Sequence, residues 1–154
     1  MINEKVLNIL NKLNIEYKEY EKIGVTKTVD DASKTLNVCK GQIAKSILVK
    51  PSKKNFAMII ASGDRKISSK KMKNYFGCKT SFANAKDTLK ITGFTFGGVC
   101  PFGINKDINI LIDKSMSRFD ILYIACGSDN SLAKMNYNEI LEKISNEEVD
   151  LTED

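Results

Sequence analysis

The chain contains no histidine and no tryptophan, has only two prolines, and aromatic side chains make up 8% of it. The absence of histidine excludes Ser-His-Asp and Cys-His catalytic machinery and any histidine proton shuttle. If the protein is an enzyme, its proton chemistry relies on lysine, carboxylates, tyrosine, cysteine, backbone groups or the substrate itself. The lack of tryptophan also disfavours a general nucleic-acid-binding surface built on aromatic stacking platforms.

The four cysteines are scattered, and none stands in a C-x-x-C arrangement. With no histidine to complete a ligand set, we expect no metal site. No run approaches the ~18 consecutive apolar residues of a membrane span, and the N-terminus lacks a charged-then-apolar signal pattern. We therefore expect a cytoplasmic protein whose cysteines are reduced, although pairing stays open from sequence alone. The cysteines are Cys39, Cys78, Cys100 and Cys126.

Length and charge give two further expectations. A chain of 154 residues with 42% apolar composition fits a single domain with a buried core. Residues 139–154 carry seven acids and one base, which gives this segment a net charge of −6. Because the whole chain has a net charge of +5, residues 1–138 have a net charge of +11. Such a basic body favours an anionic partner, nucleic acid above all, with a solvated lysine-rich surface as the alternative. Residues 146–154 are expected to form a frayed acidic tail.

Hydrophobic periodicity predicts helices and strands mixed without a regular βαβ rhythm, which favours an α+β fold. The predicted helix N-caps are Thr28, Ser68 and Asn84. The helix that Ser68 begins is predicted to end at Gly77, and the one that Asn84 begins is predicted to end at Gly93. A turn at residues 51–54 joins two apolar strands into a hairpin. Helices are predicted over residues 3–14, 28–36, 69–76, 84–93 and 137–144, and strands over residues 16–20, 42–50, 56–61, 108–112 and 121–126.

The segment from Gly97 to Ile104 reads GGVCPFGI and holds three glycines and one proline. Glycine lets the backbone come close to a ligand, whereas proline stiffens the turn. Such a loop can present peptide N–H and C=O groups to a substrate in a fixed geometry. A tight turn between two strands is the other interpretation.

Lys45 interrupts an apolar strand. Two-residue alternation places it on the same face as Ile43 and Ile47. Most strand lysines point into solvent, and one on an apolar face lies either at the strand's end or in a polar pocket. In a pocket, the ammonium could bind a phosphate or a carbonyl oxygen, or its pKa could fall.

The run Ala44-Lys45-Ser46-Ile47-Leu48-Val49, followed about fifty residues later by the glycine-x-x-x-proline loop from Gly97 to Pro101, resembles the YbaK/EbsC family. That family is also called the prolyl-tRNA synthetase-associated or editing domain family. The likeness runs from the first helix to the last, and includes the late strand ending in Gly127-Ser128. It implies one domain over residues 1–154, an α+β fold with a mixed, barrel-like sheet of about seven strands and helices packed outside.

The resemblance implies a freestanding trans-editing hydrolase. It would hydrolyse the ester of a mischarged aminoacyl-tRNA, mostly tRNA-Pro bearing alanine, serine, threonine or cysteine. The implied partners are that tRNA and prolyl-tRNA synthetase, and no metal or cofactor is implied. A non-catalytic tRNA- or synthetase-binding module of the same fold is the alternative, and intact Lys45 and an intact glycine-proline loop argue against it.

The resemblance also assigns roles to residues. Lys45 is expected to contact the terminal nucleotide of the substrate, while loop backbone groups hold the aminoacyl carbonyl and position water. Proton transfer is expected to be assisted by the ribose hydroxyl of the substrate. A Cys100 thiolate has no activating base nearby in sequence, so that cysteine is expected to shape the pocket. The predicted catalytic residues are Lys45, Gly97, Gly98, Val99, Cys100 and Pro101, and the predicted substrate-binding residues are Tyr20, Ser46, Gly127 and Ser128.

Two points stay open at this level. Some family members place a serine where this chain has Ala125 or Cys126, so the identity of the amino acid removed is undetermined. Strand packing is the alternative for Ser46, and a half-buried strand position is the alternative for Tyr20. Seven cations could form a surface for the tRNA backbone without reading its sequence: Lys53, Lys54, Arg65, Lys66, Lys70, Lys71 and Lys73.

Overall fold

The computed structural model describes residues 2–154, which form five α-helices, ten strands and two short 3₁₀ helices. The α-helices are α1 (Glu4–Lys12), α2 (Val29–Leu36), α3 (Ser69–Phe76), α4 (Ala85–Thr92) and α5 (Tyr137–Lys143). The strands are β1 (Glu16–Glu19), β2 (Ile43–Pro51), β3 (Ala57–Ser62), β4 (Lys66–Ile67), β5 (Thr80–Phe82), β6 (Asn109–Asp113), β7 (Leu122–Ala125), β8 (Ser131–Met135), β9 (Glu148–Val149) and β10 (Thr152–Glu153). The 3₁₀ helices cover Lys40–Gln42 and Lys114–Arg118.

The main sheet has the strand order β1-β8-β7-β2-β3-β6-β9, and β5 also pairs with β2. Three pairs are parallel, β2 with β7, β3 with β6 and β6 with β9, whereas the others in this sheet are antiparallel. A separate two-stranded sheet joins β4 to β10. The predicted mixed sheet of about seven strands and the predicted β2–β3 hairpin are confirmed.

The sheet is buried on both faces. Along β3, Met58 and Ile60 belong to one apolar cluster, while Ile59 and Ala61 belong to another. Helices α1 and α5 cover the first face, and α3 covers the second. Because both faces are covered, β3 is apolar at nearly every position instead of alternating.

The predicted helix caps are confirmed. The side chains of Thr28, Ser68 and Asn84 each accept a hydrogen bond from a backbone N–H in the first turn of the helix that follows. Gly77 and Gly93 end α3 and α4 with φ values of +73° and +81°, a region that glycine enters without a Cβ penalty. The Thr28 cap fixes where α2 begins, and α2 borders the site described below.

The expectation of a frayed acidic tail is wrong. β9 pairs with β6 and β10 pairs with β4, and Val149 and Leu151 are buried between the acids. The fully buried carboxylate of Asp113 accepts hydrogen bonds from the Leu151 backbone N–H at 2.7 Å and the Thr152 hydroxyl at 2.8 Å. The buried side chains of Val149 and Leu151, two residues apart, therefore hold this segment against the core, while its acidic side chains face solvent.

In the part of the chain that the structure describes, no helix combines the length and the apolar character that crossing a bilayer requires.

Candidate functional site

A cleft of about 130 Å³ opens at one end of the sheet, between β2, the start of α2 and the glycine-rich loop. The parallel register pairs Ala44 with Ile124, so the beginning of β2 lies beside the end of β7. Lys45 and Gly97 are about fifty residues apart in sequence and share this cleft. The lining residues are Thr26, Lys27, Thr28, Val29, Ile43, Ala44, Lys45, Ser46, Phe96, Gly97, Val99, Ala125 and Leu132.

Lys45 is half-buried in the wall of the cleft, opposite Ala61 of β3. Its ammonium donates a hydrogen bond to the backbone carbonyl of Arg65. Burial lowers the pKa of Lys45, and the negative charge of Asp64 opposes that shift. The structure thus places this lysine in a partly enclosed, polar position, and its role there stays a prediction.

Asp64 and Arg118 form an ion pair beside Lys45. The Arg118 guanidinium donates to both carboxylate oxygens of Asp64, at 2.6 Å and 3.1 Å. This two-point contact lowers the pKa of the Asp64 carboxyl, so the carboxylate keeps its charge. Sequence reasoning missed both residues, since nothing in their local sequence links them across more than fifty positions.

The hydroxyl of Ser46 is buried in the cleft wall, and its Oγ has no hydrogen-bond partner among residues 2–154. Buried hydroxyl groups normally find a partner, because leaving one unsatisfied costs about 1–3 kcal/mol. The Oγ atom is closed off from solvent, so a ligand reaches it only if the cleft wall shifts. The substrate contact expected of Ser46 stays a prediction.

Close backbone contacts hold the glycine-rich loop in place. Gly97 has a φ of +97°, and a Cβ there would lie 2.9 Å from Cγ of Lys27. A Cβ at Gly98 would lie 2.8 Å from the carbonyl carbon of Gly127. The loop consequently packs directly on the segment that follows β7, and only glycine allows this approach.

The loop leaves some of its donors available. The Gly98 N–H donates to the carbonyl of Thr95 at 3.0 Å, which closes the turn. Within the described range 2–154, the N–H groups of Gly97 and Val99 donate to no acceptor. Both residues line the cleft, so these groups can serve an oxygen atom that gains negative charge there.

Cys100 and Pro101 are buried and do not line the cleft. The Cys100 thiol lies in the apolar core, where burial raises its pKa to about 12, and its Sγ contacts the carbonyl of Phe102 at 3.8 Å. A thiol with such a pKa stays protonated near neutral pH and makes a poor nucleophile. The placement agrees with a loop-shaping role for both residues.

The remaining predicted site residues lie outside the cleft. Tyr20 lines a separate depression, which shares only Leu132 with the cleft. Gly127 supports the loop from beneath. The Ser128 hydroxyl contacts Asn130 Oδ1 at 2.9 Å and Ser131 Oγ at 2.6 Å. Gly127 thus lies against the loop and Ser128 bonds to its own neighbours, while the substrate-binding roles expected of Tyr20, Gly127 and Ser128 stay predictions.

The N-terminus of α2 is part of the cleft, a fact that sequence reasoning missed. Thr28 and Asp31 form a capping box, with the Asp31 N–H donating to Thr28 Oγ1 at 3.0 Å. The start of a helix carries partial positive charge, which adds to that of Lys27 and Lys45. The capping signal was readable from sequence, but its position beside β2 was not.

Phe96 stands at the mouth of the cleft, and 55% of its surface is exposed. An exposed aromatic ring beside cationic side chains is a surface on which a nucleobase can stack. Its neighbours Lys27 and Lys45 can meet the phosphates that accompany a base. Phe96 was not predicted, because its turn-rich surroundings carry no local sign of exposure.

Residues 2–154 contain no cluster of three or more histidine, cysteine, aspartate or glutamate side chains placed to hold a metal ion.

Comparison with known proteins places this site in context. The sequence profile of the aminoacyl-tRNA editing domain matches residues 24–143. YwhH of Bacillus subtilis, an uncharacterized protein, is 37% identical over 115 residues, which cover 75% of this chain and 73% of YwhH. Proline–tRNA ligase of Levilactobacillus brevis is 27% identical over 128 residues, which cover 81% of this chain but only 22% of the ligase.

Solved structures give the same architecture. The hypothetical protein APE2540 superposes with a TM-score of 0.89 at 24% identity, over 97% of this chain and all of that one. A proposed trans-editing enzyme for prolyl tRNA synthetase superposes with a TM-score of 0.87 at 21% identity, over the full length of both chains. At these identities the likeness establishes the fold.

Proposed function

This chain belongs to the aminoacyl-tRNA editing domain family, and from that membership we propose that it is an aminoacyl-tRNA deacylase acting in trans. Its proposed substrate is tRNA-Pro carrying a small wrong amino acid, such as alanine, serine, threonine or cysteine. The observation that carries the proposal is the single cleft holding Lys45 and the Gly97 loop.

The proposed reaction is attack of water on the ester carbonyl that joins the amino acid to the tRNA 3′ end. As the C–O bond to water forms, the carbonyl oxygen gains negative charge, which the N–H groups of Gly97 and Val99 stabilise. The attacking water gives up a proton, and the tetrahedral intermediate then expels the ribose oxygen, which takes up that proton. The ribose hydroxyl next to the ester assists proton transfer, which suits a chain without histidine.

Lys45 holds the 3′-terminal nucleotide in this proposal. Its ammonium is already partly desolvated, so an ion pair with a phosphate or a bond to the carbonyl oxygen is stronger there than in water. The exposed ring of Phe96 provides a stacking face for the terminal base. Binding and orientation supply most of the catalysis that an activated ester needs.

The cleft supports a small aminoacyl group. At about 130 Å³ it is narrow, and its walls include Val29, Val99 and Leu132. A pocket of fixed size admits side chains that fit and turns away larger ones, which is how an editing site spares a cognate residue. Likeness to proline–tRNA ligases, of which this chain spans about a fifth, supports tRNA-Pro and a prolyl-tRNA synthetase as partners.

The proposal is tested by deacylation of tRNA-Pro charged separately with alanine, serine, threonine, cysteine and proline. We expect hydrolysis of at least one small amino acid and no acceleration for Pro-tRNA-Pro above the uncatalysed rate. Release of labelled amino acid over time measures this directly. Binding of tRNA-Pro without hydrolysis of any of the five would overturn the enzyme proposal and leave a binding module of the same fold.

Replacement of Cys100 by alanine is expected to keep kcat/KM within about threefold of the wild-type value, because its protonated thiol is buried and not on the cleft. Deacylation assays of the wild type and the variant, before and after treatment with a thiol-alkylating reagent, measure kcat/KM. A matched substitution at buried Cys126 controls for the loss of sulfur from the core. A hundredfold loss confined to Cys100→Ala, in a folded protein, would point to covalent catalysis instead.

A further inference from the structure

Next to the cleft runs a cationic groove of about 450 Å³, whose basic wall is formed by Arg65, Lys71, Lys114 and Arg118. Its other wall is the acidic C-terminal segment, with Asp150, Glu153 and Asp154 facing the cations. The groove thus combines a row of positive side chains with acids that neutralise them. Arg118 also bonds to Asp64 beside Lys45, whereas the proposed reaction and the cleft use none of the other six side chains.

The groove adjoins the cleft through one residue. The Lys45 ammonium, in the cleft wall, donates to the backbone carbonyl of Arg65, whose guanidinium lies in the groove. Because this bond brings the groove to within one side chain of the cleft, we expect a nucleic acid whose 3′ end occupies the cleft to have phosphates within reach of the groove. This step rests on the proposed function.

The acids of the segment already occupy two of the cations. The Arg65 guanidinium pairs with the Asp154 carboxylate, and the Lys71 ammonium lies 3.1 Å from Asp150 Oδ1. The acids Asp154 and Asp150 are 91% and 65% exposed, whereas their partners Arg65 and Lys71 are 28% and 40% exposed, so each pair has a solvated carboxylate on a partly buried cation. Exposed ion pairs of this kind contribute only about 0–1 kcal/mol, so phosphate oxygens can replace the carboxylates readily.

The backbone of the segment is anchored separately from these acids. Buried Asp113 accepts bonds from Leu151 and Thr152, while Val149 and Leu151 are packed in the core. The carboxylates of Asp150 and Asp154 can therefore swing away from their cations while the segment stays docked. Exchange of carboxylate for phosphate needs side-chain rotation only.

We infer that the cationic groove binds phosphates of the tRNA acceptor arm, and that the carboxylates of the C-terminal segment compete with those phosphates for the same cations. The segment thereby sets the affinity for RNA below what the groove alone would give. Release of weakly held carboxylates replaces part of the usual counterion release, so the segment also lowers the dependence of binding on salt.

The test is binding of uncharged tRNA to the triple variant Asp150→Asn, Glu153→Gln, Asp154→Asn. We expect a Kd about 5- to 30-fold lower than that of the wild type at low salt, and a steeper dependence of Kd on salt. The control is Glu4→Gln, Asp107→Asn, Glu142→Gln, which changes net charge equally at exposed acids outside the groove. The control is expected to change Kd by less than about threefold.

A second variant probes the cations themselves. Arg65→Gln with Lys114→Gln keeps the Arg65 carbonyl that accepts from Lys45, and is expected to weaken tRNA binding about tenfold or more. Equal affinities for the segment variant and its control, or unchanged binding by the cation variant, would overturn the inference.

Hydrolysis of a short substrate separates this inference from the proposed function. An aminoacyl ester of adenosine 5′-phosphate carries the bond that the proposed reaction breaks, but it has no further nucleotides to lie along the groove. We expect the segment variant to hydrolyse it at the wild-type rate. Failure of wild-type protein to hydrolyse this ester and the charged tRNAs counts against the proposed function, whereas the tRNA affinities alone decide the role of the groove.

Discussion

Replacement of Lys45 by alanine is expected to lower kcat/KM for the preferred mischarged tRNA by about 100-fold or more, with the fold intact. The ammonium is half-buried in the cleft wall and held by the Arg65 carbonyl, so it meets a substrate already oriented and partly desolvated. Loss of one preorganised charged contact of this kind costs about 10²–10³ in rate. Deacylation kinetics over a range of tRNA concentrations measure the change and divide it between kcat and KM.

Lys50→Ala is the matched control for Lys45→Ala. Lys50 lies on the same strand, and its ammonium also donates to a backbone carbonyl, that of Lys54, but it is not on the cleft. It should retain kcat/KM within about threefold, since exposed lysines contribute little to a distant reaction. If both variants lose activity equally, or if Lys45→Ala keeps more than half of it, Lys45 is not the substrate-binding group.

Substitution of Gly98 by alanine is expected to reduce kcat/KM about 100-fold and to lower the free energy of unfolding by about 1–3 kcal/mol. The added methyl carbon would lie 2.8 Å from the carbonyl carbon of Gly127 and 2.9 Å from its oxygen. These are backbone atoms of the segment that follows β7, so they cannot rotate away as a side chain would. The loop must lift instead, which moves the Gly97 and Val99 N–H groups away from the reacting carbonyl.

Gly93→Ala separates this steric effect from backbone strain. Gly93 lies five residues earlier with a φ of +81°, and no atom comes within 4 Å of the position its Cβ would take. Alanine there should cost about 1 kcal/mol of stability and leave kcat/KM nearly unchanged. Thermal unfolding and deacylation of the same preparations measure both quantities. A Gly98→Ala protein as active as the wild type would show that the loop position does not govern the reaction.

The elements with strong local signals were predictable from sequence. Caps such as Thr28 and Asn84 act within one helical turn, so a few neighbouring residues suffice to locate them. The apolar run of β2 and the glycine-proline loop together led to the family, which the profile match over residues 24–143 confirms. The same two features led to the mixed sheet, which the structure confirms.

Features that depend on contacts distant in sequence were not predictable. β8 is short and contains Lys134, so it shows no distinctive apolar pattern, yet its place between β1 and β7 makes it buried. The acidic C-terminal segment seemed too charged to fold, because the anchoring carboxylate of Asp113 lies about 38 residues before it. Tyr20 was expected on the early strand, but β1 ends at Glu19, and Tyr20 lines a separate depression instead of the cleft.

The order of strands in the sheet also has a consequence for how the chain matures. β1 is synthesised well before its partner β8, with Glu16 opposite Lys134, so β1 has no native neighbour in the sheet until β8 is made. Sheets dominated by such distant pairings fold slowly, because loop closure must precede any gain from contact. Throughout that interval the unpaired strands expose edges that other chains can join. Nascent chains stalled before β8 would therefore depend on chaperones to stay unaggregated, even though the finished protein needs none to hold its sheet together.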